Sequence, residues 1–259
     1  MGRSRPGLRP HPSLARVEHR LEPLPARPWA MKMGWEELLF AHWPVRPEML
    51  RDLIPAGLEL ELFEGEAWLG LVPFRMAGVR LRGLPPVPTT ANFPELNLRT
   101  YVTHRGRPGV WFFSLDASSW LAVRGARVGF HLPYFDARMS CEQESGRIRY
   151  ASERIHRGAW PARLQVEYRP TGPILESPPG SLEHFLTERY CLYASTPAGT
   201  ILRGDIHHAP WPLQVAEAEF REDSMTSQIR VHREGPPRML HYARSLDVIA
   251  WLPEVVSGP

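Results

Sequence analysis

The sequence predicts an α+β fold that is mostly antiparallel β, and three observations predict it. Short alternating or continuous apolar runs recur along the chain, Pro- and Gly-rich turns separate them, and only two or three short stretches carry helical spacing. With 43% hydrophobic residues and nine Trp among 259 residues, the chain can build one substantial core. So many strands and turns favour a sheet that closes or folds over itself.

Residues 1–30 are rich in Arg and Pro without apolar periodicity, which predicts a mobile tail. Translation from Met31 would omit it, so its place in the native protein stays open at this point. Residues 35–43 fit helix or strand equally well by periodicity. Residues 46–55 read as a short helix, with Pro47 in the first turn and Pro55 at the end. Residues 58–63 alternate and 67–74 are almost wholly apolar, so they read as a hairpin across Glu64-Gly65-Glu66. Residues 75–92, with Gly83, Pro85, Pro86 and Pro88, read as a long loop suited to a lid.

Residues 93–102 and 110–116 read as antiparallel partners across a turn at 105–109. Ser118 or Ser119 caps a short helix ending at Ala126, and the chain is then extended as far as Pro133. Strands are predicted at 136–142, 147–154 and 163–168. A Pro/Gly connection at 170–180 leads into a helix capped by Ser181, and strands follow at 200–208, 211–220 and 239–251. Residues 31–253 are expected to be a single domain, with 254–259 as a C-terminal tail.

Composition narrows the function classes. The formal charge is +3 and no compact basic run is interleaved with aromatics, so nucleic acid is not an expected partner. No apolar run approaches the ~18 residues of a membrane span and no signal-peptide core is present, which predicts a cytoplasmic protein without a membrane partner. Cys141 and Cys191 form neither a disulfide framework nor a zinc motif. The pair His207-His208, with Asp205 and His42, lacks metal-ligand spacing, because adjacent strand residues point to opposite faces. No metal and no cofactor is predicted. Lys32 is the only lysine, so any amine chemistry must use it.

The residues with most chemistry lie in 93–102. Strand alternation puts Leu96, Leu98 and Val102 on one face and Glu95, Asn97, Arg99 and Tyr101 on the other. The polar row is either an outer strand face in solvent or the lining of an interior site. In an interior, Arg99 offers a bidentate fork to a carboxylate or phosphate. An internal ion pair of Glu95 or Asp116 with Arg99 or Arg127 is the alternative use of the same charges.

The blocks Leu39-Phe40-Ala41-His42-Trp43, Val72-Pro73-Phe74, Glu95-Leu96-Asn97-Leu98-Arg99-Thr100-Tyr101-Val102, Phe113-Ser114-Leu115-Asp116-Ala117, Leu132-Pro133-Tyr134 and His208-Ala209-Pro210-Trp211 resemble the YqjF-like family of uncharacterised conserved proteins (domain of unknown function 2071). That family resembles a branch of the acetoacetate decarboxylase-like superfamily. The resemblance implies a β-barrel or cone with a small-molecule cavity. It also implies that the lysine pair of the decarboxylases falls at Tyr134 and Phe135, so the Schiff-base amine is replaced.

The expected function is binding of a small, anionic oxo acid or other carboxylate. The ligand residues would be Asn97, Arg99, Tyr101, Asp116 and Arg127. One alternative is an enzyme of lyase or hydrolase type that forms no Schiff base, with Glu95 and Tyr134 as its catalytic groups. The other is a structural or interaction protein. Association into a homo-oligomer stays open.

Overall fold

The computed structural model describes residues 11–257. Along the chain, β1 (Met31–Val45) is followed by α1 (Glu48–Arg51), β2 (Glu59–Leu60), β3 (Ala67–Leu81), α2 (Pro88–Ala91), β4 (Phe93–His104), β5 (Arg107–Ala117) and α3 (Trp120–Gly129). The second half contains β6 (Tyr134–Glu144), β7 (Arg147–Arg154), β8 (Arg163–Ile174), α4 (Leu182–Thr187), β9 (Cys191–Ser195), β10 (Ile201–His208), β11 (Gln214–Asp223), β12 (Met239–Ala250) and β13 (Glu254–Ser257).

All these strands join one sheet, in which β12, β1, β3, β4 and β5 form a continuous wall. The wall divides at both borders. Val110 and Trp111 of β5 pair in parallel with β9, while Leu115 to Ala117 pair in parallel with β6. On the other border, His241 and Tyr242 of β12 pair with β11, while Val248 to Ala250 pair with β10. The sheet therefore closes twice, through β9 and β10 on one side and through β6, β7, β8 and β11 on the other. Where a barrel or cone is expected, the strands form this two-lobed ring.

Both faces of the wall are consequently buried. Leu39, Leu69, Leu71, Leu96 and Leu98 pack with Ile148, Leu164, Val166 and Tyr168 in the lobe closed by β6, β7, β8 and β11. Met33, Leu38, Phe40, Val72 and Phe74 face the other lobe with Leu115, Val123 and Trp211. Glu37 adopts a left-handed conformation, φ +54°, that interrupts the register with β3. The inward parity of β1 changes there: Met33 and Trp35 before it, and Leu38 and Phe40 after it, all face the same lobe. The Glu37 carboxylate turns the opposite way and accepts a hydrogen bond from Tyr242 Oη at 2.5 Å.

Several expectations are corrected. The ambiguous stretch 35–43 is strand. The helix expected over 46–55 is the single turn α1. Residues 58–63 do not form the expected hairpin strand; β2 pairs with β4, and only a Phe63–Glu66 bridge remains of the hairpin. The loop expected over 75–92 is strand as far as Leu81 and ends in α2. Helix α3, capped by Ser119, continues to Gly129 and takes up residues expected to be extended. Strands β9 and β13 fall outside the expected strands; β13 pairs with β10 where the sequence predicts a C-terminal tail.

Residues 11–30, expected as a mobile tail, lie across β10. Ser13 O accepts from His207 Nε2 at 2.8 Å, Arg20 Nη1 donates to Ile206 O at 2.8 Å, and Trp251 Nε1 donates to Arg27 O at 2.7 Å. Arginine side chains and backbone carbonyls hold this segment without apolar periodicity, which is why periodicity gave no sign of it. Residues 1–10 of the expected tail and 258–259 at the other end lie outside the described residues.

An ion pair ties the wall to β7. Arg154 donates from Nη2 to Asp116 at 2.6 Å and from Nε at 3.0 Å, both side chains are fully buried, and the guanidinium lies 4.2 Å from the centroid of Phe135. Removing one partner strands a buried charge, so Asp116→Ala should lower unfolding free energy by about 3–5 kcal/mol. A loss below about 1 kcal/mol in denaturant titration would show that the pair is not a structural tie.

Candidate functional site

The lobe closed by β9 and β10 encloses a cavity of about 520 Å³, within the usual range of ligand pockets, roughly 300–1,000 Å³. Paired strands set its inward side chains in rungs. Met76 is opposite Phe93, Phe74 opposite Glu95, Val72 opposite Asn97, and Gly70 opposite Arg99, with His42 across from Gly70 on β1. Leu84, Val87 and Leu121 line the cavity and are also 57%, 52% and 42% exposed, so they mark its mouth beside Phe93. From Phe93 to Arg99 the strand rises roughly 20 Å. The cavity is therefore a shaft with apolar walls, and the polar row of β4 runs down one side.

Midway down, Tyr134 Oη donates to Glu95 Oε2 at 2.9 Å. Glu95 is 2% exposed and forms no ion pair among the described residues. Burial pushes its pKa up to about 8 from the ordinary 4.5, against the opposing pull of the tyrosine hydrogen bond. Burial likewise raises the Tyr134 phenol well above its usual range, and the neighbouring Glu95 adds to that. At neutral pH the pair is an uncharged acid and an uncharged phenol.

Below them the polar groups have open valences. Asn97 Oδ1 and Arg99 Nε are buried without hydrogen-bond partners, as is the indole nitrogen of Trp35 on β1 of the same wall. Arg99 donates from Nη2 to Leu186 O at 3.3 Å and lies over the rings of Phe40 and Tyr101, but meets no carboxylate among the described residues. The second guanidinium over Tyr101, Arg189, is neutralised by Glu61 at 2.5 Å. Asp205, also in the lining, is held by Arg107 and Arg203. The floor thus carries one uncompensated positive charge.

Tyr101 supports the floor from behind. Its hydroxyl donates to Leu186 O at 2.7 Å and accepts from His42 Nε2 at 2.7 Å, a tautomer that leaves His42 Nδ1 without a partner. Burial holds the His42 imidazole well below its usual pKa, with Arg99 adding to the effect. Gly70 makes the approach of these groups feasible: a Cβ there would sit 3.0 Å from His42 Nε2 and 3.2 Å from Arg99 Cγ.

Of the residues expected at a site, Glu95, Asn97, Arg99 and Tyr134 come together in the cavity. Solvent exposure of the β4 polar row is excluded. Three placements are corrected. Tyr101 lies behind the lining. Asp116 points into the opposite lobe to Arg154. Arg127, on α3, donates to Tyr134 O at 2.7 Å from outside. The alternative pairings of Glu95 or Asp116 with Arg99 or Arg127 do not form. Sequence reasoning missed Trp35, Gly70, Arg189 and His208 as site residues; the last is set by its carbonyl partners Ala209 and Arg189. Lys32 lies between the lining residues Met31 and Met33 and is not itself in the lining. No cluster of metal-ligating side chains occurs among the described residues, and no helix is long and apolar enough to cross a membrane. A second hollow, about 690 Å³ between β11 and residues 225–237, opens widely to solvent and contains none of the expected site residues.

Residues 32–247 match DUF2071, a family described as an uncharacterised conserved protein. The chain is 45% identical over 223 residues to the uncharacterised protein YqjF of Bacillus subtilis, covering 86% of this chain and 91% of YqjF. Among solved structures it is similar to the acetoacetate decarboxylase of Legionella pneumophila, with TM-score 0.64, 13% identity and 98% of each chain covered. It is also similar to the enduracididine biosynthesis enzyme MppR complexed with pyruvate, with TM-score 0.60, 12% identity, and 93% of this chain and 94% of that one covered. At these identities the two structures establish a shared fold.

The Glu95 proton links stability to pH. Between pH 4.5 and about 8 the native state keeps a proton that the unfolded chain releases. Stability therefore falls as pH rises through that window, and this term levels off above it. Glu95→Gln should remove a decline on the order of several kcal/mol. The check is denaturant titration of both proteins at several pH values; parallel profiles would refute the assignment.

Proposed function

The chain belongs to the DUF2071 family, and on that footing we propose that its cavity is a binding site for a small organic anion, a carboxylate in the first instance. The observation that carries this reading is the set of unpaired polar atoms on Arg99, Asn97 and Trp35, facing an apolar cavity whose floor holds one uncompensated cation. Arg99 Nε and the Trp35 indole N–H are donors, and leaving a donor buried and unpaired costs free energy that a carboxylate bound at Arg99 would offset, with Arg99 as the charged partner; Asn97 Oδ1 accepts and would take a donor instead. The shared fold with a protein whose structure contains pyruvate makes oxo acids natural members of a ligand panel.

A second reading is favoured by Glu95. A carboxyl group with pKa about 8, hydrogen-bonded to a phenol and set above an anion site, can donate a proton at neutral pH to a polarised oxygen. This would be general acid chemistry without a Schiff base, since the only lysine lies outside the lining.

Thermal-shift titration against oxo acids, other carboxylates and phosphates tests the binding reading. A ligand at a hundredfold excess over its dissociation constant should add about 2.7 kcal/mol of apparent stability, and Arg99→Ala should abolish the gain. Absence of any shift in a well-folded protein would overturn it. Affinity for a carboxylate should also weaken as pH rises through about 8, where Glu95 becomes an anion beside the ligand, and Glu95→Gln should flatten that dependence. Gly70→Ala, by crowding Arg99 and His42, should weaken binding more than it lowers stability; the reverse order in calorimetry would count against Arg99 as the anchor. A Glu95→Gln protein that binds a carboxylate but no longer converts it would favour the enzyme reading over simple binding.

A further inference from the structure

We infer that the ligand is a straight-chain amphipathic carboxylate, with its head at Arg99 and its tail filling the shaft up to the mouth between residues 82–87 and α3. The inference rests on the reading of Arg99 as a carboxylate site and adds the shape of the molecule that reaches it.

Three observations point to a tail. The unpaired polar atoms of β4 belong to Asn97 and Arg99 at the deep end, whereas the walls between Glu95 and the mouth are apolar, formed by Phe74, Met76, Phe93, Val79 and Ala122. A compact oxo acid held at Arg99 would leave most of this roughly 20 Å shaft unfilled. The apolar lining also does not stop at the surface. Leu84, Val87 and Leu121 belong to the lining and are exposed, so the apolar path runs continuously from floor to solvent. A chain leaving the shaft would cover side chains that otherwise meet water.

The surroundings of the mouth fit the charge of such a molecule. Residues 77–92 and 117–133, which frame it, contain no Asp or Glu but do contain Arg80, Arg82, Arg124 and Arg127. Of these, only Arg124 forms an ion pair among the described residues, with Asp136. A mouth of this sign raises the local concentration of anions, and the apolar wall then takes up the tail.

The test is calorimetric titration at neutral pH with butanoate, octanoate, dodecanoate and hexadecanoate. Affinity should increase by about fourfold per added methylene along the series. Val87→Asp and Leu121→Asp place a charge on the tail path at exposed positions, where folding should be unaffected, as an unchanged unfolding transition would verify. Each should weaken hexadecanoate binding by about tenfold or more, since only a chain of that length spans the roughly 20 Å from Arg99 to the mouth, while leaving butanoate affinity as it was. Equal affinity across the series, or equal losses for short and long acids in the two variants, would overturn the amphipathic ligand and leave the anion site standing. No binding by any member, with the oxo-acid panel also silent, would overturn both.

Discussion

The double burial of β4 is the constraint on which the rest depends. An ordinary sheet strand keeps one face for solvent, and its polar residues go there. Here the wall of β12, β1, β3, β4 and β5 is enclosed by one set of strands on each side, so Leu96, Asn97, Leu98, Thr100 and Tyr101 are buried and Arg99 is only partly accessible. The leucines fill a solid core with β7 and β8. The polar residues are then forced into the other lobe, where their bulk and hydrogen-bonding demands keep the interior from packing solid. In this sense the cavity follows from placing Glu95, Asn97 and Arg99 on the inner face of a wall that is covered on both sides.

Such a row carries a free-energy cost, and the protein meets it unevenly. Asp116 is satisfied in full by Arg154, Asp205 by Arg107 and Arg203, and Arg189 by Glu61. Glu95 escapes the cost of a buried charge by keeping its proton. Arg99 has neither a carboxylate nor a second hydrogen-bond partner among the described residues beyond Leu186 O. Arg99 meets no carboxylate among the described residues, and the proposed ligand would supply one.

Much of this could be read in the sequence, for a physical reason. Period-two alternation assigns residues to faces without knowledge of the fold, so Glu95, Asn97 and Arg99 were grouped correctly. It fails where parity changes or the element type is mistaken. Asp116 follows a register shift between β4 and β5, and its neighbour Leu115, not Asp116, faces the cavity. Arg127 was placed on an extended segment but lies in the last turn of α3. Tyr101 was assigned to the right face, yet it is one rung too deep to reach the lumen. Trp35 and His208 enter the site through long-range pairings of β1 and β10, and Gly70 through its position between two side chains on neighbouring strands. No local pattern encodes these. Residues 11–30 are held through backbone carbonyls and arginine side chains, contacts that leave no periodic trace in the sequence.

The pair Tyr134-Phe135 connects the electrostatics to the chemistry. Adjacent strand residues point to opposite faces, so of two neighbouring positions only one can reach the cavity. That residue is Tyr134, which bonds to Glu95, while Phe135 turns toward Arg154 in the other lobe. A lysine at 134 would place an ammonium beside Glu95, and the attraction would draw the carboxyl pKa down toward its ordinary range as the two groups formed a buried ion pair. With a phenol there instead, burial dominates and Glu95 remains protonated. A lysine in place of Tyr134 would therefore alter two properties together: it would supply the amine a Schiff base requires, and it would convert Glu95 from a neutral hydrogen-bonding acid above the Arg99 floor into the partner of a cation.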